Sequence, residues 1–203
     1  TAANSNKNDG QTIFASTRFG NVLGSSGSVI TVFRNQIEKG GPVTITDNSM
    51  SRFVMSINEA VHLVIDSAIK AKGGEVFVTK MPVIRIPDLA KAMIEILAPI
   101  YGHDQKKIQL IEIGQKPGEK LYEELMSTEE VRRAIELKDY FSVLPPFRDN
   151  NNDIVFDYND IVSSKIDNVY ISEKEATMSI NEIKKTLIKY DLIEMKNQFN
   201  NNF

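Results

Sequence analysis

Cysteine and tryptophan are absent from this 203-residue chain, and histidine occurs only twice. Without cysteine there are no disulfides, no thiolate metal ligands and no cysteine nucleophile. Two histidines, His62 and His103, leave little room for a histidine metal cluster, so no metal site is expected. No apolar run reaches the ~18 residues that would span a bilayer. Neither sign of charge dominates: Lys+Arg 24 against Asp+Glu 27 gives a net charge of −3, and with it no basic footprint for nucleic acid or an anionic membrane. Glycine signatures are also missing. There is no G-x-G-x-x-G, and Gly114 to Lys120 (GQKPGEK) departs from a phosphate loop because its glycines lie four apart instead of five and Glu119 stands where the lysine belongs. Gly24-Ser25-Ser26-Gly27 is no nucleophile elbow, since that pattern needs glycine at the position Ser28 occupies. The polar start, residues 1 to 12 (TAANSNKNDGQT), has no apolar targeting segment and no initiating Met, and reads as the continuation of a longer chain.

What is present is the composition of an ordinary globular domain, 41% hydrophobic and 25% charged. Ile13 to Val22 reads as a buried strand leading into the glycine turn at Gly24. Ser28 then caps a helix whose stripe is Val29, Ile30, Phe33 and Ile37, ended by Gly40-Gly41. Val43 to Thr46 alternates as a short strand. A helix from Ser56 to about Lys72, with Glu59 completing a capping box, is expected to bury Ile57, Ala60, Val61, Val64 and Ala68. Glu75 to Thr79 reads as a strand. Pro87 opens a helix buried through Leu89, Met93, Ile96 and Leu97, Ile108 to Ile113 reads as a strand, and Glu119 to Met126 as a short helix. The polar run at 148–153 (RDNNND) marks a mobile loop, and Ser179 with Glu182 caps a final helix before a fraying tail. Four stretches result: a polar lead-in over 1–12, a mixed α/β part over 13–145, an irregular extension over 146–178, and a helix with its tail over 179–203.

Three segments combine residues suited to an anionic ligand. Arg18-Phe19-Gly20-Asn21-Val22 runs from a strand toward a helix N-terminus, where backbone N–H groups meet anions. Arg52 lies beside the turn at Asp47 to Ser49, and Lys116-Pro117-Gly118-Glu119 presents a cation and a carboxylate from one rigid turn. Together they supply two cations, a helix N-terminus and a carboxylate, the set that a diphosphate with an attached ribose requires. His62, among Glu59, Asp66 and Ile69 at helical spacing, reads as a surface side chain, and His103 sits in a polar loop without ligand partners.

RFGNVLGSSGSVI (18–30), GGPVTITD (40–47), SRFVMSINEAVHLV (51–64) and KPGEKLYEEL (116–125) occur together and in this order. In this the chain resembles the polysaccharide-biosynthesis branch of the extended short-chain dehydrogenase/reductase family, over about residues 12–145. That branch holds UDP-N-acetylglucosamine 4,6-dehydratases and related UDP-sugar epimerases. The resemblance implies an α/β chain that forms the C-terminal, substrate-binding part of an extended Rossmann-type enzyme, with the N-terminal cofactor half and its catalytic helix absent. It implies substrate contacts at Asn21, Val29, Thr44, Thr46, Arg52, Lys116 and Glu119, and backbone contacts to the nicotinamide at Phe19 and Gly20. Asn21 and Arg52 match diphosphate-binding residues, Val29 and the Thr44 to Thr46 strand match the uracil wall, and Glu119 matches the acid near the ribose. Lys116 stands where the family usually has arginine, a point charge in place of a planar two-pronged donor.

The implied enzyme uses NAD or NADP on a UDP-sugar in the cytoplasm, works as a homo-oligomer, and makes a 4-keto-6-deoxy sugar. A UDP-sugar 4- or 5-epimerase, or a nucleotide-sugar-binding module without chemistry, are the alternative outcomes. No catalytic residue of the family falls in this chain, so by itself it is expected to be silent and to retain no cofactor.

Overall fold

The structure is a computed structural model that describes residues 12–25, 27–146 and 155–193. Most of the polar lead-in, the 148–153 run and the C-terminal tail therefore lie outside the described residues. In chain order the elements begin with β1 (Ser16–Arg18), β2 (Asn21–Val22), α1 (Val29–Glu38), β3 (Val43–Ile45), β4 (Ser51–Met55) and α2 (Ile57–Lys70). There follow β5 (Val76–Thr79), β6 (Val83–Arg85), α3 (Ile86–Ile100), β7 (Leu110–Glu112), β8 (Glu124–Met126) and α4 (Thr128–Val131). The last are β9 (Ala134–Leu137), β10 (Tyr140–Val143), β11 (Ile161–Ser163), β12 (Tyr170–Ile171) and α5 (Ile180–Lys189). The chain is mixed α/β, as the alternating periodicities imply. It gathers into two interleaved units. The first takes the stretch up to Asn21, Ile57–Met81 and Glu123–Glu175, and the second takes Val22–Ser56, Pro82–Tyr122 and the chain from Ala176.

The first unit is built on a five-stranded sheet of order β1-β5-β10-β9-β11. β1 runs parallel to β5, with Ser16 opposite Val76 and Arg18 opposite Val78, while β10 is antiparallel to both β5 and β9. Leu63 of α2 meets Phe77, Leu137, Tyr140 and Tyr158 in its core, and Tyr158 stands edge-on to Phe77 at 6.2 Å. Glu75 is fully buried at the turn between α2 and β5. Its carboxylate accepts hydrogen bonds from the Lys72 N–H, from the Gly73 N–H at 2.7 Å and from the Tyr158 hydroxyl at 3.2 Å, so the buried charge is satisfied.

Two expectations fail in this unit. The stretch Ile13 to Val22 is not one buried strand: it divides into the short β1 and β2, and Ile13 is exposed. The α2 face is also rotated from the one expected: Ala60 is buried as read from sequence, but Ile57, Val61, Val64 and Ala68 are exposed, and the buried side carries Ala60, Leu63 and Ser67. Small side chains at two of these positions let the helix lie close to the sheet. The larger aliphatic stripe is left outward, with Ile57 62% and Ile69 77% exposed. A period-3.6 pattern locates two apolar faces here and does not say which one meets the sheet.

The second unit packs α1, α3 and α5 around one core. α1 buries Ile30, Phe33 and Ile37. Leu89, Met93 and Leu97 of α3 meet them, together with Ile183 and Leu187 of α5 and Val43 and Ile45 of β3. Ile96 is only partly buried at the margin of that core. β3 pairs with β7 in parallel and β4 with β6 in antiparallel register. Gly40 and Gly41 end α1 with φ of 84° and 88°, a conformation that favours glycine. Ser179 and Glu182 form the full capping box that opens α5. Ser28 is the N-cap of α1 by position, with no side-chain capping bond.

The helix expected over Glu119 to Met126 does not form. The segment is irregular up to Glu123 and then becomes β8, which pairs with β12 in the first unit. The cause is visible at the carbonyls. Leu121 C=O accepts from the Ser51 N–H at 2.9 Å, and Arg52 takes the Lys120 carbonyl, so β4 holds groups that a helix would turn inward.

Candidate functional site

In the second unit two loops are stitched side by side, the turn after β3 and the segment after β7. The Ile113 N–H donates to Ile45 C=O at 2.8 Å. Asp47 accepts from the Ser49 N–H at 2.7 Å and the Ser49 hydroxyl at 2.5 Å, and its second oxygen accepts from Gln115 Nε2 at 3.2 Å. The Ser49 hydroxyl, then the Ser49 N–H and Gln115, hold the Asp47 carboxyl below the usual carboxylate range. Asn48 donates to Glu112 from the same turn.

Four of the residues singled out from sequence meet at this seam. Thr46 Oγ1 donates to Glu119 Oε1 at 3.3 Å. Glu119 folds back on its own turn, its N–H donating to Lys116 C=O at 3.0 Å and its Oε2 accepting from the Lys116 N–H at 3.4 Å. Gly118, with φ of 83° and open space where a Cβ would stand, permits that reversal. Arg52, on β4, reaches the far side of the same segment: its guanidinium donates to Ser51 C=O at 2.7 Å, Lys120 C=O at 2.6 Å and Leu121 C=O at 3.1 Å. The guanidinium is thus fixed in direction by three carbonyls, and the Lys116 side chain is exposed.

Thr44 and Val29 belong to the adjoining wall. Val43 and Ile45 point into the core, which leaves Thr44 half-buried on the other face of β3. Its N–H donates to Gln36 Oε1 at 3.0 Å, and Gln36 Nε2 donates to its hydroxyl at 2.7 Å, so α1 and β3 are joined there. Val29, the first residue of α1, packs half-buried against the core. The seam therefore offers a fixed guanidinium, an exposed ammonium, a carboxylate and a hydroxyl. That set suits an anion carrying hydroxyl groups.

The other three residues lie in the first unit. Phe19 is exposed, Asn21 is exposed, and the Gly20 N–H donates to Met81 Sδ at 3.4 Å. Two features of this unit escaped the sequence. Arg18 makes a two-pronged bridge to Glu130 at 3.0 and 2.9 Å and donates to Leu125 C=O at 2.7 Å. The Tyr170 hydroxyl clasps the Met81 backbone, accepting from its N–H at 2.7 Å and donating to its C=O at 3.2 Å. Burial raises the Tyr170 phenol to about 12. Arg18 reaches Glu130 across 112 positions and Leu125 across 107, and Tyr170 reaches Met81 across 89, separations no local pattern reports.

A dinucleotide cofactor needs a glycine-rich turn between a strand and a helix N-terminus to cradle its diphosphate. Among the described residues of the first unit, α4 is four residues long with its N-terminus closed by the Ser127–Glu130 capping box, and α2 is preceded by Met55-Ser56 with no glycine. Neither helix start in the described residues of the first unit forms that cradle. His62 and His103 are surface side chains that contact the Asn58 and Glu38 carbonyls at 2.6 and 3.0 Å. No cluster of three or more metal-ligating side chains occurs among the described residues, and no described helix is long and apolar enough to cross a membrane.

The chain as a whole is similar to known proteins. The family described as polysaccharide biosynthesis protein matches residues 1–145. A Methanocaldococcus jannaschii protein named as an uncharacterized membrane protein is 45% identical over 90% of this chain and 53% of its own length. A UDP-glucose 4-epimerase of Rickettsia rickettsii is 36% identical over 94% of this chain and 54% of its own. Among solved structures, Pen from Bacillus thuringiensis superimposes with a TM-score of 0.80 at 40% identity, covering 94% of this chain and 54% of that one. The chain thus spans about half the length of these relatives. With its family matched over most of its length and its fold shared with Pen, the chain belongs to the polysaccharide biosynthesis proteins of the extended short-chain dehydrogenase/reductase family.

Proposed function

We propose that this chain is the UDP-sugar-gripping part of a nucleotide-sugar 4,6-dehydratase of the UDP-N-acetylglucosamine type, acting in the cytoplasm in surface polysaccharide biosynthesis. The observation that carries this reading is the seam in the second unit, where Thr46, Arg52, Lys116 and Glu119 are drawn to one pair of loops by hydrogen bonds at 2.6 to 3.4 Å. Arg52 and Lys116 take the diphosphate, Glu119 and Thr46 the ribose hydroxyls, and Val29 with Thr44 the uracil. In the first unit, taken by itself, Asn21 is assigned a substrate contact, and Phe19 and Gly20 backbone contacts to the nicotinamide. The grip on UDP is remote from the reacting carbons, and its binding energy serves to orient the sugar.

NAD or NADP supplies the redox chemistry of such enzymes, and its diphosphate cradle belongs to a further half that works with this chain in a homo-oligomeric enzyme. By itself the chain binds UDP weakly and turns nothing over. A second reading, a UDP-sugar 4-epimerase, is favoured by the name of the Rickettsia relative. The test is product analysis by NMR, with UDP-N-acetylglucosamine given to this chain joined to a cofactor half. A 4-keto-6-deoxy product supports the dehydratase and a C4 epimer supports the second reading. An unchanged sugar refutes both.

A further inference from the structure

A cavity of about 350 Å³ opens in the second unit between α3 and the turn that leads into β7. Sites for small molecules occupy ~300–1,000 Å³, so it has the size to hold one. Ile94 of α3, Ile108 and Leu110 supply its apolar floor, and Lys91, Gln105 and Lys106 bring polar groups to its rim. Ile94 and Ile108 belong to the core that α1, α3 and α5 share, which makes the floor part of the packed interior.

The walls are held in place by the fold itself. The turn over 103–107 is closed by the His103 N–H on Ala98 C=O at 2.8 Å, the Lys107 N–H on Asp104 C=O at 2.9 Å and the Lys106 N–H on Asp104 Oδ1 at 3.0 Å. Ile108 Cγ2 lies 3.1 Å from where a Cβ on Gly41 would stand, so the glycine end of α1 backs the floor closely. A preformed wall spares a ligand the cost of ordering it.

Charge then selects the occupant. The lining acid, Glu95, is already engaged by Lys184 of α5. Lys91 has only an exposed pairing with Asp88 at 3.6 Å, which holds it weakly. Asp104 takes the Lys106 backbone N–H, and the Lys106 side chain is exposed. Two ammonium groups, one from each wall, thus stand over an apolar floor, and they match a doubly charged head better than a carboxylate.

The cavity is distinct from the seam of Thr46 and Glu119. β3 and β7 run parallel, with Val43 opposite Leu110 and Ile45 opposite Glu112. The seam follows Ile45 and Glu112, whereas the cavity ends at Leu110, so the strand puts about 10 Å between them. A nucleotide would also lay the polar edges of its base and ribose on Ile94, Ile108 and Leu110 without hydrogen-bond partners.

We propose that this cavity binds a small phosphate monoester with an apolar body, its head on Lys91 and Lys106 and its body on Ile94, Ile108 and Leu110. The site takes nothing from the UDP grip proposed above. The test is an NMR titration of the isotope-labelled 203-residue chain with phenyl phosphate. Saturable amide shifts centred on residues 91–95 and 104–110 are expected. Inorganic phosphate and benzyl alcohol, each carrying one half of the ligand, should bind about 10-fold more weakly or less, and benzoate about 5-fold more weakly. Lys91→Ala and Lys106→Ala, both at exposed positions, should each weaken phenyl phosphate about 5-fold. Lys174→Ala, exposed in the first unit, should leave it unchanged, and circular dichroism confirms that each variant is folded. No saturation at ~20 mM phenyl phosphate, shifts centred elsewhere, or indifference to both cavity lysines overturns the proposal. Inorganic phosphate or benzoate binding as tightly as phenyl phosphate overturns it too, as does displacement of phenyl phosphate by UDP. Phenyl phosphate shifts at the cavity without UDP shifts at the seam remove only the UDP grip, and the reverse removes only this site.

Discussion

Acid should unfasten the first unit at Glu130. The Arg18 guanidinium meets both carboxylate oxygens at 2.9 and 3.0 Å, and Ser127 donates its N–H to the same carboxylate at 2.9 Å. Burial alone would raise the Glu130 carboxyl, but the Arg18 hydrogen bond, the Ser127 N–H and the Arg18 charge outweigh it and lower it from 4.5 to about 2. A carboxyl depressed by folding stabilises the fold above its unfolded value and loses that contribution as pH falls toward the folded one. The full shift would correspond to about 3 kcal/mol, and because the Arg18 side chain is 37% exposed we reduce this to about 2 kcal/mol for solvent screening. Urea unfolding of wild type and Glu130→Gln, followed between pH 7 and pH 3, should show a difference of about 2 kcal/mol at neutral pH and roughly half of that at pH 3. Arg18→Gln should shrink the pH dependence of the Glu130 effect, leaving the part that the Ser127 N–H supplies. A wild-type-to-variant difference that is flat across this range would refute the assignment.

Arg52→Ala should act twice, loosening the 116–121 segment whose carbonyls it holds and weakening UDP binding by about 2 kcal/mol, roughly 30-fold. Hydrogen exchange of that segment and calorimetric UDP titration check the two effects separately, and unchanged UDP affinity would count against the grip. Glu75→Gln places an amide donor among the Lys72 and Gly73 N–H groups inside the core and should cost about 3 kcal/mol in urea unfolding. Gly24→Ala puts a side chain on a backbone with φ of 78° and a Cβ 2.6 Å from Leu192 Cδ2, and should cost about 1–2 kcal/mol, less if Leu192 turns aside.

The features legible in sequence were those with local causes. α1 is written in the spacing of Ile30, Phe33 and Ile37 and in the double glycine that stops it, and α5 in the Ser179–Glu182 box. What depended on partners distant in the chain was not legible. α2 carries two apolar rows, and only the sheet beneath it selects Ala60, Leu63 and Ser67. The segment after Glu119 has helical spacing, yet Ser51 and Arg52 on β4 take its carbonyls. The hairpin of β9 and β10 turns at Lys138-Asp139 with no Asn-Gly or Asp-Gly signal, and it escaped notice for that reason. In the candidate site the residue types pointed to an anionic ligand. The bond between Thr46 and Glu119, 73 positions apart, needed the fold.

The most direct test of the UDP grip is an NMR titration of the isotope-labelled chain with UDP. The account predicts saturable, weak binding with amide shifts centred on Thr44 to Asn48, Arg52 and Lys116 to Leu121, lost in Arg52→Ala. Absence of saturable shifts at ~10 mM UDP, where even a Kd of about 1 mM would give near-complete occupancy, would contradict it. Shifts centred instead on the cavity lined by Lys91, Glu95, Gln105 and Lys106 would contradict it equally.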